Sequence, residues 1–446
     1  MDRSGAGMVD RVIRQPDLKT VAPGPRTGQV LIPSSKSQLH RLLILAALGE
    51  EPVEIACRGI PEDVRATAGC LNALGAKISV LEAGTADTIT AIPLDRSYCA
   101  DGAVLDCGES GSTLRFLLPV AGALGANCLV LRRGRLPERP LAPYDAQLKA
   151  NGMRIGGKGS HLTVSGRLRS GEFVLPGNIS SQYVSGLLMA LGALRGQSRL
   201  RVDGPMESSH YVEMTEAALT LAGIRSAKEQ SGTENDPCTV WTVSGGQTYA
   251  LPQRIAAEGD WSSATFFLCM GALSEGGVLV QGLDPASVQG DKTVLNVLKE
   301  FGAKVEVRED GVLVRKGLLR AVELDASQIP DAVPALAVLA ALSEGTTRIY
   351  NAGRLRLKES DRIRSTMHML RALGGIVSET EDGLIIHGRA KLDGGTIDPA
   401  GDHRIAMAAA VAACGCKEPV AIAQYGCTAK SYPDFWQDLE RLKVEA

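Results

Sequence analysis

The prediction of the fold starts from a short stretch at residues 71–78, LNALGAKI. Its leucines have helical spacing, Gly75 suits the left-handed conformation that ends a helix, and the residues after it alternate as in a strand. Similar stretches recur about 70–80 residues apart, with glycines at 152, 223, 302 and 374. A turn and a second alternating segment usually follow, which predicts helix, strand, turn, strand. A last helix near 434–443 would be the sixth.

Each of these units also contains an earlier helix that is almost entirely apolar. These helices begin near residues 36, 111, 181, 262, 331 and 402. An apolar helix is expected inside a domain and an amphipathic one outside. The pattern therefore predicts an α/β protein of six related units, and Leu251-Pro252 divides them three and three. The alternative is an ordinary α/β protein whose spacing is coincidental.

Composition excludes several classes of protein. The 446 residues exceed one ordinary core, and 44% hydrophobic with 22% charged residues is typical of a globular chain. A net charge of −2 gives no bias toward nucleic acid or membranes. No segment resembles a signal peptide or a membrane span, so we expect a cytoplasmic protein. Ten cysteines and six histidines form no CxxC or HExxH pattern, so we expect reduced thiols and no metal.

Polar motifs lie at or near the predicted helix starts. They are PSSKSQLHR at 33–41, GESGSTLR at 108–115, ERP at 138–140, SSQ at 180–182, IPDA at 329–332, LKESDR at 357–362, DHR at 402–404 and TAK at 428–430. GESGST lacks the ending of a nucleotide-binding P-loop. Single motifs have ordinary explanations as caps or surface charges, with Ser360 capping one helix and Asp361 favouring its dipole. His403 is interpreted as structural.

The cations of these motifs lead to a functional hypothesis. They are Lys36, Arg41, Arg115, Arg139, Lys358, Arg362, Arg404 and Lys430. A cation at a helix start opposes the helix dipole, so repeated placement there is unfavourable unless an anion lies among the cations. We therefore predict a site for small, multiply anionic substrates.

In this order, the motifs closely resemble those of the 5-enolpyruvylshikimate-3-phosphate synthase family, from about Val30 to Phe435. The resemblance implies two inverted α/β-prism domains, each of three βαβαββ-type units, joined by a hinge. One domain would be 34–251 and the other 1–33 plus 252–446, with 1–25 as an extension. The implied reaction transfers the enolpyruvyl group of phosphoenolpyruvate to the 5-hydroxyl of shikimate 3-phosphate, releasing phosphate, in aromatic amino-acid biosynthesis. The family needs no cofactor or metal.

The resemblance also implies roles for individual residues. Asp331 would accept the 5-hydroxyl proton and Glu359 would protonate the methylene carbon, giving a tetrahedral intermediate, with Lys36 touching both substrates. Phosphoshikimate would bind Lys36, Ser37, Arg41, Ser180, Ser181, Gln182, Ser208, Asp331 and Lys358. Phosphoenolpyruvate would bind Lys36, Gly111, Arg139, Gln182, Arg362, Arg404 and Lys430. Lys358 and Arg362 would lower the pKa of Glu359 and burial would raise it, and the sequence leaves the balance open.

Some residues depart from the family pattern. Glu109 stands where the family usually has Asn, and we expect it to point away from the site or to pair with a nearby Arg. Arg354 stands where some members have a substrate-binding Asn, and no role is assigned to it. Gly111 keeps the small residue associated with sensitivity to glyphosate, the expected inhibitor. The resemblance also implies a monomer without nucleic-acid or membrane partners.

Two rival functions remain open. One is the sister transferase that acts on UDP-N-acetylglucosamine, but that family has a Cys shortly before its Arg-Pro pair, and residues 132–138 contain none. The other is a non-catalytic repeat scaffold that binds anions. Such a scaffold has no reason to combine Asp331 and Glu359 with cations for two substrates.

Overall fold

The computed structural model describes residues 17–83, 86–96, 100–233 and 236–445. Most of the predicted N-terminal extension, residues 1–16, lies outside them. The first strands are β1 Leu18–Val21 and β2 Arg26–Leu31.

Three units follow between residues 36 and 243. Their elements are α1 Lys36–Ala47, β3 Val53–Cys57, α2 Glu62–Ala73, β4 Lys77–Leu81, β5 Asp87–Ile92, β6 Asp101–Asp106, α3 Gly111–Leu124, β7 Asn127–Leu131, α4 Tyr144–Ala150, β8 Arg154–Gly156, β9 His161–Ser165, β10 Glu172–Pro176, α5 Ser181–Leu191, β11 Ser198–Asp203, α6 His210–Leu221, β12 Ser226–Thr233 and β13 Asp236–Val243.

Three more units follow a short strand, β14 Arg254–Ala256. Their elements are α7 Trp261–Ala272, β15 Val278–Gln281, α8 Val294–Glu300, β16 Lys304–Arg308, β17 Gly311–Arg315, β18 Glu323–Asp325, α9 Val333–Ala341, β19 Thr346–Tyr350, α10 Arg362–Ala372, β20 Ile376–Glu379, β21 Leu384–His387, β22 Gly395–Ile397, α11 His403–Ala412, β23 Val420–Ala423, α12 Phe435–Arg441 and β24 Lys443–Val444. Five 3₁₀ turns join them, at Gly290–Thr293, Pro330–Ala332, Gly353–Leu357, Ala413–Gly415 and Tyr425–Lys430.

Among the described residues, five of the six units share one sheet topology, and the sheet of the sixth, β1-β23-β22, has only three strands. In the order β6-β7-β9-β8, the first two strands are parallel and the last two run antiparallel to their neighbours. The orders β10-β11-β13-β12 and β18-β19-β21-β20 repeat this arrangement. The predicted α/β fold of related units is confirmed, and the five glycines after the second helices have φ between 75° and 109°.

Three strands pair with a sheet formed by a distant part of the chain. β1, near the start of the chain, pairs antiparallel with β23 in the sheet of the sixth unit. β14 pairs in parallel with β3, so it completes the sheet of the first unit. β2 pairs in parallel with β15 and completes the sheet of the fourth unit. The two crossing segments meet at an antiparallel bridge between Ser34 and Gly259. We therefore propose that the halves divide at residues 257–260 rather than at the predicted Leu251.

The buried side chains form two separate hydrophobic clusters. One lies between residues 39 and 249, and the other combines Val21, Val30 and Ile32 with residues 261–442. We call the halves around them the upper and the lower half. Every residue of α7 and of α9 is buried, as predicted for the apolar helices. This burial supplies the main stabilisation of each half.

The cysteines and the lengths of the helices can be described for the same ranges of the chain. The cysteines in the described ranges form no disulfide, and most of them are buried. Within the same ranges, no helix is both long and apolar enough to cross a membrane.

Candidate functional site

A cleft lies between the two halves and is lined by helix starts from both. Of the predicted site residues, all except Lys430 line it: Lys36, Ser37, Arg41, Gly111, Arg139, Ser180, Ser181, Gln182, Ser208, Asp331, Lys358, Glu359, Arg362 and Arg404. The next residue after Lys430, Ser431, is also in the lining. Eight cationic and four acidic side chains face this cleft, although the whole chain carries a net charge of −2. The surplus of positive charge makes the cleft an anion site.

Asp331 lies among three cations of the lower half. Its Oδ1 accepts hydrogen bonds from Arg362 at 2.7 Å and Lys358 at 3.2 Å, and Arg404 Nη2 lies 3.4 Å from Oδ2. Burial favours the neutral acid, but these charges outweigh it and hold the pKa of Asp331 well below its usual range. The carboxylate is therefore ionised at neutral pH.

Glu359 also forms ion pairs with arginines, and these come from both halves of the chain. Arg362 donates to its Oε2, and Arg139 of the upper half lies 3.5 Å from Oε1. Burial would raise the pKa of Glu359, but the charges of Arg362 and Arg139 outweigh it and keep the pKa well below its ordinary value. The balance that the sequence left open thus favours the ionised form.

Arg362 is the centre of this charge network. Its side chain is buried and contacts Asp331, Glu359 and Asp402, with Nε 2.8 Å from Asp402 Oδ2. The predicted cap of its helix was wrong by one residue. Asp361 rather than Ser360 caps α10, accepting from Arg364 N at 3.1 Å, and Ser360 Oγ instead donates to Asp402 at 3.0 Å. Glu359 therefore lies before the first turn of α10, and its side chain lines the cleft.

Lys36 and Arg41 extend from α1 on the upper half. Lys36 Nζ lies 2.9 Å from Asp63 Oδ2, and its backbone N–H donates to Asp260 across the crossing segments. Arg41 is buried and donates to Ser37 O and Tyr211 O, both at 2.6 Å. Burial lowers the pKa of Arg41 to about 10, which leaves it charged at neutral pH.

Gly111 allows two arginines to meet at the start of α3. A Cβ atom at Gly111 would lie 2.7 Å from Arg115 Nη1 and 2.8 Å from Arg139 Nη1. Arg115 donates to Gln182 Oε1 at 2.7 Å, and Gln182 Nε2 donates to Ser112 at 2.9 Å. Arg115 therefore orients the amide of Gln182, and the absence of a side chain at Gly111 makes room for Arg139.

Lys358 and Ser208 lie where the halves face each other. Burial, with the charges of Arg362 and Arg354, lowers the pKa of Lys358 to about 8, although Asp331 opposes the change. Ser208 is buried with a φ of 54°, a conformation that is uncommon outside glycine. Arg354 donates to Ser208 Oγ at 3.3 Å and to Glu207 at 3.1 Å.

Lys430 contacts a residue that the sequence did not pair with it. Its Nζ lies 2.7 Å from Glu109 Oε2 and donates to Gly401 O at 2.9 Å. Glu109 does not line the cleft, as one of the two expectations had it, and its partner is Lys430 rather than an Arg. A predicted phosphoenolpyruvate ligand is thus neutralised from the opposite half.

Comparison with known proteins agrees with this geometry. A family model described as EPSP synthase (3-phosphoshikimate 1-carboxyvinyltransferase) matches residues 21–439. The chain belongs to the EPSP synthase family.

Relatives in this family match along nearly the whole chain. The 3-phosphoshikimate 1-carboxyvinyltransferase of Clostridium kluyveri is 38% identical over 96% of this chain and 97% of its own. That of Clostridium acetobutylicum is 40% identical over 93% of this chain and 95% of its own. A solved EPSP synthase from Acinetobacter baumannii has a TM-score of 0.75 at 26% identity, and covers 96% of this chain and 100% of its own.

The EPSP synthase cleft also includes residues that sequence reasoning did not select. They include Asp63, Asp260, Ser262 and Tyr211, together with His403, for which the sequence favours a structural role. Burial and the charge of Lys36 hold the pKa of His403 well below its usual value, so it is neutral. Asp260 could have been found, because it precedes an apolar helix as Asp331 and Asp402 do. Tyr211 had no such signal.

Proposed function

We propose that this chain transfers the enolpyruvyl group of phosphoenolpyruvate to the 5-hydroxyl of shikimate 3-phosphate and releases phosphate. The observation that carries the proposal is the cleft itself, which eight cations line together with two half-buried carboxylates, Asp331 and Glu359. Two polyanionic substrates offset that charge, and holding them side by side removes the entropic cost of their encounter.

In the proposed binding sites, each substrate has ligands from both halves of the chain. Ser180, Ser181, Ser208 and Lys358 bind the phosphate or neighbouring groups of phosphoshikimate, and Ser37 and Arg41 hold the same substrate. Gly111, Arg139, Arg362, Arg404 and Lys430 bind phosphoenolpyruvate. Lys36 and Gln182 contact both substrates. The hydroxyl O–H and amide N–H groups donate to phosphate oxygens, and the arginines supply paired N–H donors for a carboxylate or a phosphate.

The proposed chemistry uses the two carboxylates differently. Asp331 is already ionised and accepts the proton of the 5-hydroxyl. Glu359 must first gain a proton, which becomes favourable when the anionic substrates offset Arg139 and Arg362 and the pKa of Glu359 rises. Glu359 then protonates the methylene carbon while the 5-oxygen bonds to C2. The tetrahedral intermediate loses phosphate as Glu359 takes a proton back from the methyl group.

A phosphate-release assay tests this function. We expect release with phosphoenolpyruvate and shikimate 3-phosphate together, and none with UDP-N-acetylglucosamine as the acceptor. Release only with the UDP-sugar would show the sister activity. Glu359→Gln should lower turnover by at least about 10²–10⁴-fold, with binding largely kept. The matched control is Glu138→Gln, whose exposed carboxylate pairs with Arg135. Equal activity of both variants would instead favour an anion-binding scaffold.

Further properties belong to the same proposal. We place the enzyme in the cytoplasm as a monomer that glyphosate inhibits, without nucleic-acid or membrane partners. The two halves approach each other about a hinge at the crossing segments, since their cationic faces repel until anions lie between them. An unchanged radius of gyration with phosphoshikimate plus glyphosate, measured by small-angle scattering, would count against closure.

A further inference from the structure

The hydroxyl of Tyr211 lies between two carboxylates of the opposite half, the buried Asp291 and the half-buried Asp331. Tyr211 extends from α6 of the upper half, and its Oη is 3.1 Å from Asp291 Oδ2 and 3.4 Å from Asp331 Oδ2. Asp291 belongs to the 3₁₀ turn before α8, and Asp331 to the one before α9. Tyr211 and Asp331 line the cleft, whereas Asp291 lies behind them and is buried.

This arrangement gives the hydrogen bonds a direction. A phenol has one proton to donate and lone pairs with which to accept. While both carboxylates are ionised, Tyr211 donates to the nearer one, Asp291. Its oxygen can then accept a hydrogen bond from Asp331 only when Asp331 carries a proton. In the proposed function, Asp331 carries a proton directly after it has deprotonated the 5-hydroxyl.

We propose that Tyr211 and Asp291 form a proton relay that removes the substrate proton from Asp331. The Asp331 carboxylic acid gives its proton to Tyr211 Oη as the Tyr211 proton passes to the Asp291 carboxylate. The step restores the Asp331 carboxylate and the Tyr211 phenol and leaves Asp291 as a neutral acid. No charge is created or lost, and no further reactant is needed. Tyr211 and Asp291 act through Asp331, and both are positioning residues for its chemistry.

The surroundings of Asp291 suit the end of such a relay. Burial raises the pKa of Asp291 to about 6, the charges of Asp331 and Asp260 act in the same direction, and Arg404 and the Tyr211 hydrogen bond oppose them. The pKa of Asp331 is held well below its usual range. A proton therefore moves downhill from Asp331 to Asp291. The carboxylate of Asp291 is available above about pH 6 and already occupied below it.

The relay rests on the proposed function, and its test uses the same phosphate-release assay on the full chain. Turnover and its solvent deuterium isotope effect would be measured from pH 5 to 8.5 for wild type, Tyr211→Phe, Asp291→Asn and the double variant. We expect each single change to lower kcat by about 10–100-fold with KM values retained. The double variant should be no slower than the slower single one, because either change interrupts the same chain of transfers.

The pH profile separates this role from a structural one. Wild-type kcat should rise with pH through about 6, and this limb should be absent in Asp291→Asn. The control is Tyr249→Phe, which also removes a buried tyrosine hydroxyl. That hydroxyl donates to Met189 O at 2.7 Å and has no contact with Asp331. This variant should change only the melting temperature.

Multiplying losses in the double variant, or an unchanged acid limb in Asp291→Asn, would overturn the relay while wild-type activity left the proposed function intact. No phosphate release by wild type would overturn both.

Discussion

The ion pair between Glu109 and Lys430 predicts that Glu109 weakens the binding of phosphoenolpyruvate. Their atoms are 2.7 Å apart, with Lys430 14% and Glu109 37% exposed. Exposed pairs contribute about 0.2–1 kcal/mol and charged hydrogen bonds about 1.5–3 kcal/mol, so for this half-exposed pair we take about 1 kcal/mol. Glu109→Gln removes this competition, while Gly401 O still holds Lys430. At 25 °C, about 1 kcal/mol corresponds to an approximately fivefold fall in the KM for phosphoenolpyruvate.

The assay is initial-rate phosphate release with each substrate varied in turn. The KM for shikimate 3-phosphate should stay constant in Glu109→Gln, because Lys430 is not among its proposed ligands. Glu138→Gln removes another carboxylate nearby in the chain and should change neither KM. Gly134→Ala gives a second test, since a Cβ atom there would lie 2.5 Å from the Glu109 carboxyl carbon and would displace that side chain. An unchanged or higher KM for phosphoenolpyruvate in Glu109→Gln would refute the reasoning.

Three further predictions follow from the cleft and its surroundings. Gly111→Ala would place a Cβ atom 2.8 Å from an Arg139 nitrogen, so the KM for phosphoenolpyruvate should rise at least about tenfold. Phosphoshikimate affinity, measured by calorimetry, should change less, because among its proposed ligands the added Cβ atom affects Gln182 through Arg115. Because the pKa of Lys358 is about 8, wild-type affinity for phosphoshikimate should fall as pH rises from 7 to 9, and Lys358→Arg should flatten this dependence. Because the pKa of Asp291 is raised to about 6 in the folded protein, the free energy of unfolding of the wild type falls as pH rises from about 4 to 6. Asp291→Asn avoids this loss, so at pH 7.5 it should be more stable than wild type by at most about 3 kcal/mol. Chemical unfolding should show no such gain at pH 4.

The repeated units could be predicted because their signals are local. A glycine after a helix and an alternating strand beyond it are set by neighbouring residues, and the helix, strand, turn and strand of each of the first five units are consecutive in the chain. The exchange of β2 and β14 had no comparable signal. Val30 pairs with Val280, and no periodicity near either residue points to the other.

The site residues also divide into those with a local signal in the sequence and those that depend on contacts between distant segments. Cations at helix starts were visible in the sequence, because the position of a side chain relative to its own helix is local. The pair Glu109 and Lys430 joins residues 321 positions apart, and Tyr211 and Asp291 are 80 apart. Contacts of this kind depend on how the two halves close on each other. The pKa of Glu359 also remained open, because it depends on Arg139 from the opposite half.

The exchanged strands have a consequence for the order in which the protein folds during synthesis. β14 ends at residue 256, so the upper half has all its strands before α7 is made. β2 is made near the start of the chain but must wait for β15, so its unpaired edge stays exposed throughout synthesis of the upper half. Late pairing between distant segments is slow and open to wrong partners. The lower half is therefore the part of this protein that most depends on protection while it is being translated.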